Sequence, residues 1–331
     1  MQLPDITCHS RLNLQTVTPT RPLSNIVEDA RQNLLAKPSA MPPKYFYDLR
    51  GSELFDAICD TREYYPARTE EALLRCHAQE IIKTAAPLHI IEFGSGTSRK
   101  TRHLLDACDR IDTVYWPFDV CEAMLIKTGE QLVCEYDWLD VNILVGDYLG
   151  GLQGLPVQEG ACLYLFLGGT IGNFTASEAG WFLNELALHM KPNDYLLLGA
   201  DRIKDSDVLH AAYNDKQGIT ADFNLNLLKV LNHKLEANFN PEQFEHKAEF
   251  NTDAGQIEMY LESSCDQSIE IARLDAELHL QQGERILTEI SRKFTQAGLE
   301  ALLADADLLV ENHLQPANGY FSLVLARKNT G

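Results

Sequence analysis

The sequence predicts an α/β fold of the doubly wound class, a parallel sheet with crossover helices, and a further α+β segment inserted into it or forming a second domain. Three observations predict this. Short apolar strands alternate with amphipathic helices from residue 70 to about 201; the first strand runs straight into a glycine turn; and beyond Asp201 helices are followed by antiparallel strands. With 331 residues, 45% of them apolar, the chain has material for two domains or one large one.

Residues 1–22 show no clear periodicity and read as a tail or strap. Ile26–Leu35 has helical spacing, broken by Met41-Pro42-Pro43-Lys44, because proline lacks a donor and restricts the residue before it. Leu54, Phe55 and Ile58 again space as a helix, and Glu70–Thr84 is a clear one, with Leu73, Leu74, Ile81 and Ile82 on one face. Strands are expected at Leu88–Phe93, Asp112–Phe118, Val141–Val145, Ala161–Leu167 and Tyr195–Gly199. Helices are expected at Lys100–Cys108, Cys121–Tyr136 and Ser177–Met190. Val208–Asp215 and Ile219–Leu235 follow as helices, the second capped by Thr220. Glu245–Phe250, Gln256–Ser264 and Gln267–Leu274 read as antiparallel strands with a turn at Asp253-Ala254-Gly255. Ser291–Ala304 reads as a helix, and Leu308–Leu314 with Tyr320–Ala326 as a closing hairpin.

Composition narrows the function. Lysine and arginine total 28 against 48 acids, a net charge of −20, which repels phosphate backbones and anionic lipid. Neither nucleic acid nor membrane is an expected partner. The eight cysteines are scattered without C-x-x-C spacing, which suits reduced thiols rather than a disulfide framework or zinc site. No stretch approaches the roughly 18–20 apolar residues of a membrane span, and no leader pattern opens the chain. A cytoplasmic protein without a metal is expected; the ten histidines include no H-x-x-x-H pair.

The turn Glu92-Phe93-Gly94-Ser95-Gly96-Thr97 admits three readings. A dinucleotide fingerprint would need glycine at position 99, where Arg99 stands. A P-loop would align Gly94, Lys100 and Thr101 but meets the same arginine, and would set Glu92 near a triphosphate. The third ligand is a nucleoside carrying a cationic sulfonium, S-adenosylmethionine. Glu92 then faces the positive methionine portion or orients the loop. Asp119, 23 positions past Gly96, can accept from the ribose hydroxyls, and Asp147 from the adenine amine beside Tyr148. Singly, Asp119 and Asp147 read equally well as helix caps. Jointly, three acids at the ends of successive strands with no basic pair favour the cationic ligand.

Several blocks stand in order along the chain: Tyr45–Phe55 (YFYDLRGSELF), Glu63–Arg68 (EYYPAR), Glu92–Ser98 (EFGSGTS), Phe166–Asn173 (FLGGTIGN), Ala212–Asp215 (AYND), Phe223–Asn226 (FNLN), Ile257–Met259 (IEM) and Thr288–Phe294 (TEISRKF). Together they resemble the L-histidine Nα-methyltransferases of ergothioneine biosynthesis, from about residue 24 to the end. The resemblance implies a class I methyltransferase (Rossmann-like) domain, 70–201 plus 289–331, and a substrate-binding domain, 23–69 plus 202–288. It implies S-adenosylmethionine as cofactor and three methyl transfers to the α-amine of histidine, giving hercynine. Carried over by motif, Gly94, Ser95, Gly96, Lys100, Asp119, Asp147 and Tyr148, with Glu92, hold the cofactor. Tyr47 is the catalytic candidate, and Tyr64, Gly168, Asn173, Tyr213, Met259, Glu289 and Ser291 surround the amino acid. Gly169 stands where many relatives have serine and Asn214 where aspartate is common. A monomer acting on a small amino acid is expected; the same chemistry on a tryptophan derivative, and a P-loop-like nucleotide-binding protein, are the alternatives.

These residue types suit the reaction. Methyl transfer from a sulfonium needs a neutral amine lone pair about 3 Å from the methyl carbon, in line with the leaving sulfur. Tyr47 can hydrogen-bond that amine; a phenol of pKa about 10 is a weak base, so orientation is its main expected role. The amide of Asn173 and the hydroxyl of Tyr213 can donate to the α-carboxylate, although Asn173 also reads as a helix cap. Glu289 and Ser291, one residue apart, point the same way in an extended chain. An acid and a hydroxyl can accept from both nitrogens of an imidazolium, or from one of a neutral ring. Met259 supplies an adaptable apolar wall.

Overall fold

The computed structural model describes residues 9–108, 112–156 and 158–329; the first eight residues of the expected tail, Cys8 among them, lie outside the described residues. From a 3-10 turn at His9–Arg11 the chain enters strand β1 (Leu12–Thr16), where a tail or strap was expected. Asn25 caps helix α1 (Ile26–Asp29) in a capping box with Glu28, and the helix continues as one π-helical turn, Ala30–Leu34. A two-residue strand, β2 (Ser39–Ala40), precedes the proline break and a 3-10 turn, Pro43–Phe46. Asp48 accepts from the Gly51 N–H and starts α2 (Leu49–Asp60). Helix α3 (Tyr65–Ala85) begins ahead of the expected Glu70 because Pro66 falls in its first turn, where no donor is needed.

Then come β3 (His89–Phe93), α4 (Arg102–Leu105), β4 (Val114–Asp119), α5 (Glu122–Glu135), β5 (Asp140–Val145), β6 (Cys162–Phe166), α6 (Ala176–His189) and β7 (Tyr195–Asp201). Only α4 departs much from expectation: it is four residues long and follows a loop in which Ser98 has a positive φ. Next are α7 (Ser206–Tyr213), α8 (Ile219–Leu235), β8 (Phe244–Asn251), β9 (Gln256–Ser263), β10 (Gln267–Ile271), β11 (Ala276–Leu280) and β12 (Arg285–Arg292). The chain closes with α9 (Gln296–Ala304), β13 (Leu308–Leu314) and β14 (Phe321–Lys328). Three expectations are corrected here. Thr220 does not cap α8: the Asp215 carboxylate accepts from the N–H groups of Ile219 and Thr220, since Gly218 at φ +74 turns the chain back onto it. Ser291 is in a strand and not in a helix, and Thr295 caps α9. Strands β11 and β12 were not expected.

The chain divides into two compact units, one of Met1–Leu23, Pro66–Ile203 and Phe294–Gly331, the other of Ser24–Tyr65 and Lys204–Lys293. The first is built on an eight-stranded sheet in the order β1-β5-β4-β3-β6-β7-β14-β13. Strands β1 and β3 to β7 run parallel, while β14 pairs antiparallel with β7 and β13 with β14. Alternating side chains feed two cores, one on each face: Phe93, Phe118, Phe166 and Phe182 in one, Ile90, Tyr115, Leu163 and Leu165 in the other. Arg11 donates to the carbonyls of Val133, Tyr136 and Leu139, terminating α5.

The second unit has a four-stranded sheet, β2-β12-β9-β8, and the separate β10–β11 pair. Helix α8 lies against β8, β9 and α2. Its buried Asn224 donates to Tyr260 O and to His246 Nδ1, while its Oδ1 has no hydrogen-bond partner. Among the described residues the other seven cysteines are free thiols, and no helix is long and apolar enough to cross a membrane.

Candidate active site

In the first unit the expected cofactor residues gather where β3, β4 and β5 end, the side on which open α/β sheets take ligands. Gly94 (φ +69) and Gly96 (φ +51) turn the chain through a conformation that side chains disfavour. The Gly94 N–H bonds to Phe118 O at 2.8 Å and the Gly96 N–H to Asp119 Oδ2 at 3.1 Å, while Asp119 Oδ1 accepts from Cys121 N–H at 3.1 Å. One carboxylate thus ties the glycine turn to the start of α5. Burial raises the pKa of Asp119, with those N–H groups opposing. Above the turn there is room: a Cβ on Gly96 would meet nothing within 4 Å, and one on Gly94 would first meet Tyr148 at 3.8 Å. Ser95 Oγ is buried with no hydrogen-bond partner.

Glu92, 4% exposed, accepts from Thr101 Oγ1 at 2.5 Å and from the Tyr115 hydroxyl. Burial pushes its carboxyl up to about 7, against the pull of those hydroxyls and of Lys100. Of its two expected roles, this arrangement fits the one that orients the loop. Asp147 Oδ1 accepts from Leu149 N–H at 2.9 Å, and the Tyr148 ring stands among Phe93, Phe118, Phe166, Phe174 and Phe182, where burial raises its pKa.

Glu70, which sequence reasoning missed, bonds two of the expected site residues, Lys100 and Gly168. It is fully buried on α3, accepts from Lys100 Nζ at 2.5 Å and, through both oxygens, from the Gly168 N–H at 2.8 and 3.0 Å. A Cβ on Gly199 would collide with it. The signal was an acid on the apolar face of α3, in line with Leu73 and Leu74. Gly168 (φ +79) and Gly169 (φ +69) then turn the chain toward Asn173. Asn173 is not the cap of α6; Thr175 is, in a capping box with Glu178.

The second unit gathers Tyr47, Tyr64, Tyr213, Met259, Glu289 and Ser291. Tyr47 meets Phe55 and Phe223 edge-on at 5.9 Å, and Tyr64 meets Tyr213 at 5.9 Å. Burial, with Tyr213 and Glu289 among its neighbours, holds the Tyr64 hydroxyl protonated, its pKa well above 10. Met259 on β9 faces Glu289 on β12, and Ile257 faces Ser291. The register shifts between Leu287 and Glu289, a bulge fastened by Thr288 Oγ1 donating to Met259 O at 3.0 Å. Beyond it both Glu289 and Ser291 are buried, so the bulge re-aims this part of the strand. Ser291 Oγ and the Tyr213 hydroxyl are 2.8 Å apart, and Lys293 Nζ, unassigned from the sequence, reaches both. Among the described residues no three His, Cys, Asp or Glu side chains are grouped to hold a metal.

Comparison with known proteins points to one family. The profile of a family described as histidine-specific methyltransferase, SAM-dependent, matches residues 26–328. A histidine N-alpha-methyltransferase of Mycolicibacterium smegmatis is 42% identical over 300 residues, 90% of this chain and 93% of its own. One from Mycobacterium tuberculosis is 40% identical over 302 residues, 91% of this chain and 94% of its own. Ergothioneine biosynthesis protein 1 of Neurospora crassa is 36% identical over 202 residues, 59% of this chain and 23% of its own.

Proposed function

We propose a reaction for this chain, which belongs to the family of histidine-specific, S-adenosylmethionine-dependent methyltransferases: successive transfer of three methyl groups to the α-amine of L-histidine, giving hercynine in ergothioneine biosynthesis. Its fold is the Rossmann-like class I sheet that the sequence motifs implied. The family match sets aside both the P-loop reading of residues 94–101 and the tryptophan alternative.

The residues present fit the cofactor. The partnerless Ser95 Oγ, the open space above Gly94 and Gly96, and two carboxylates on neighbouring strand ends are the donor and acceptor set a cationic nucleoside requires. In this reading Gly94, Ser95, Gly96, Asp119, Asp147 and Tyr148 hold it, with Lys100 braced by Glu70 and Glu92 fixing the loop from beneath. Bound there, S-adenosylmethionine supplies an electrophilic methyl group on sulfur.

The other residues prepare the nucleophile. Tyr47 hydrogen-bonds and orients the α-amine, and Tyr64, kept protonated, donates without accepting charge. Asn173 and Tyr213 donate to the α-carboxylate. Gly168, its N–H committed to Glu70, contributes the turn that leads to Asn173. Glu289 and Ser291 take the imidazole, against Met259.

The observation that carries this reading is the pair Glu289 and Ser291, both buried at the foot of a bulge that aims them. A buried acid and hydroxyl on one strand can accept from a ligand's N–H groups, which imidazole offers on either side and indole on one. The enzyme is taken to work in the cytoplasm as a monomer, its acidic surface repelling polyanions; light scattering on the purified protein tests the monomer. Mass spectrometry of histidine incubated with enzyme and cofactor tests the reaction. Stepwise gains of one, two and three methyl groups are expected, and unmodified histidine overturns it.

A further inference from the structure

Lys293 follows directly on β12 and is 5% exposed, the most deeply buried lysine or arginine among the described residues. Its Nζ donates to the Tyr213 hydroxyl at 2.9 Å and to Ser291 Oγ at 2.8 Å, and lies 4.7 Å above the centre of the Tyr213 ring. Those two oxygens are themselves 2.8 Å apart, which closes a triangle.

The triangle fixes the protons. An ammonium has donors and no acceptor, so both hydroxyl oxygens must accept from it. The two hydroxyls share two protons; one lies in the Tyr213–Ser291 bond, and the other remains for a partner beyond the triangle. The pair therefore presents one outward O–H with a cation directly behind it. A cation donating to a hydroxyl oxygen polarises the O–H on its far side and makes it a stronger donor. Such a device recognises an anion. A neutral acceptor gains less from it, and a cationic group is repelled.

We propose that Lys293 is a positioning residue for the α-carboxylate of the substrate, acting through the Tyr213 hydroxyl, and so makes the enzyme select an amino acid over the corresponding amine. This rests on the reading of Tyr213 as a carboxylate donor. Ser291 is the second prop: in accepting from Lys293 and donating to Tyr213, it holds the phenol oxygen where its own proton points at the carboxylate, and keeps one lone pair for the imidazole.

The test compares wild type with Lys293→Met, in which an apolar chain of similar reach replaces the ammonium. The readouts are KM and kcat for L-histidine and inhibition constants for two analogues. Imidazolepropionate keeps the carboxylate and lacks the amine; histamine keeps the amine and lacks the carboxylate. The KM for histidine and the inhibition constant of imidazolepropionate are expected to rise about tenfold to a hundredfold, the range for bonds to charged groups. The inhibition constant of histamine and kcat should stay within about twofold on that same scale. Equal weakening of both analogues, or a fall in kcat at unchanged KM, overturns the proposal, because a merely structural lysine would produce either. Calorimetry with S-adenosylhomocysteine confirms that the first unit is intact. If Lys293→Met does not fold, Lys293→Gln, which keeps a donor and loses the charge, carries the same comparison. A wild-type protein that binds S-adenosylhomocysteine but leaves histidine unmethylated overturns the functional reading, a result distinct from a methylating enzyme whose analogue preference ignores Lys293.

Discussion

Replacing Glu92 by glutamine should remove a pH dependence from the stability of the protein. The carboxyl is 4% exposed and burial pushes it from 4.5 up to about 7, whereas in the unfolded chain it titrates at its ordinary value. Between those limits the native state keeps a proton that the unfolded chain has lost, so ionisation favours unfolding. The contribution is fully present below about pH 4.5, falls as pH rises, and is gone above about pH 7. A span of about 2.5 pH units at about 1.4 kcal/mol each amounts to about 3 kcal/mol. Glutamine is close in shape to the protonated acid and does not titrate, so every other pH effect is common to both proteins and cancels. Urea unfolding, followed by tryptophan fluorescence at a series of pH values between those limits, gives the difference directly. The stability of wild type relative to Glu92→Gln should fall by about 3 kcal/mol across the window. A difference that stays constant would refute the assignment of a neutral, buried carboxyl beneath the loop.

Three further substitutions have defined outcomes. Asp119→Ala leaves the N–H groups of Gly96 and Cys121 without their acceptor, and should weaken S-adenosylhomocysteine binding by about 1–3 kcal/mol in calorimetry; unchanged affinity removes Asp119 from the site. Glu289→Ala should lower kcat/KM for histidine about tenfold to a hundredfold while S-adenosylhomocysteine binds as before, and retention of the wild-type value would dispose of the imidazole assignment. Arg11→Ala removes the guanidinium shared by three carbonyls at and beyond the end of α5, and should cost about 1–2 kcal/mol of stability, read as a lower Tm, with no change in KM for histidine.

Much of the first unit was legible because its determinants are local. A parallel sheet is buried on both faces, so its strands are short apolar runs, and the acids Glu92, Asp119 and Asp147 fall at or just beyond the ends of three of them. What escaped depends on residues distant in the chain or on broken periodicity. Residues 285–292 lose their alternation at the bulge, and three buried polar residues, Thr288, Glu289 and Ser291, hide what is left of the strand pattern. Leu12–Thr16 alternates over only five residues and mostly faces solvent, so its pairing with β5 leaves little trace in composition. The capping of α8 by Asp215 depends on the turn at Gly218, so the nearest hydroxyl, Thr220, misleads. Glu70 and Lys293 are charged residues on otherwise buried faces, and only the placement of their partners, Lys100 and Gly168 for one and Tyr213 and Ser291 for the other, gives them a role.

Strand β1 pairs with β5 across a separation of 129 residues. During synthesis, at about 5–20 residues per second, Leu12–Thr16 emerges on the order of ten seconds before its partner exists. For that interval it is an unpaired ribbon, and afterwards β5 has a bare flank until the ribbon docks, a state open to pairing with a neighbouring nascent chain. Affinity tags or trims next to this segment therefore bear on the yield of native enzyme from the ribosome, and low recovery from such a variant is a fault of assembly while the chemistry of the finished molecule is untouched.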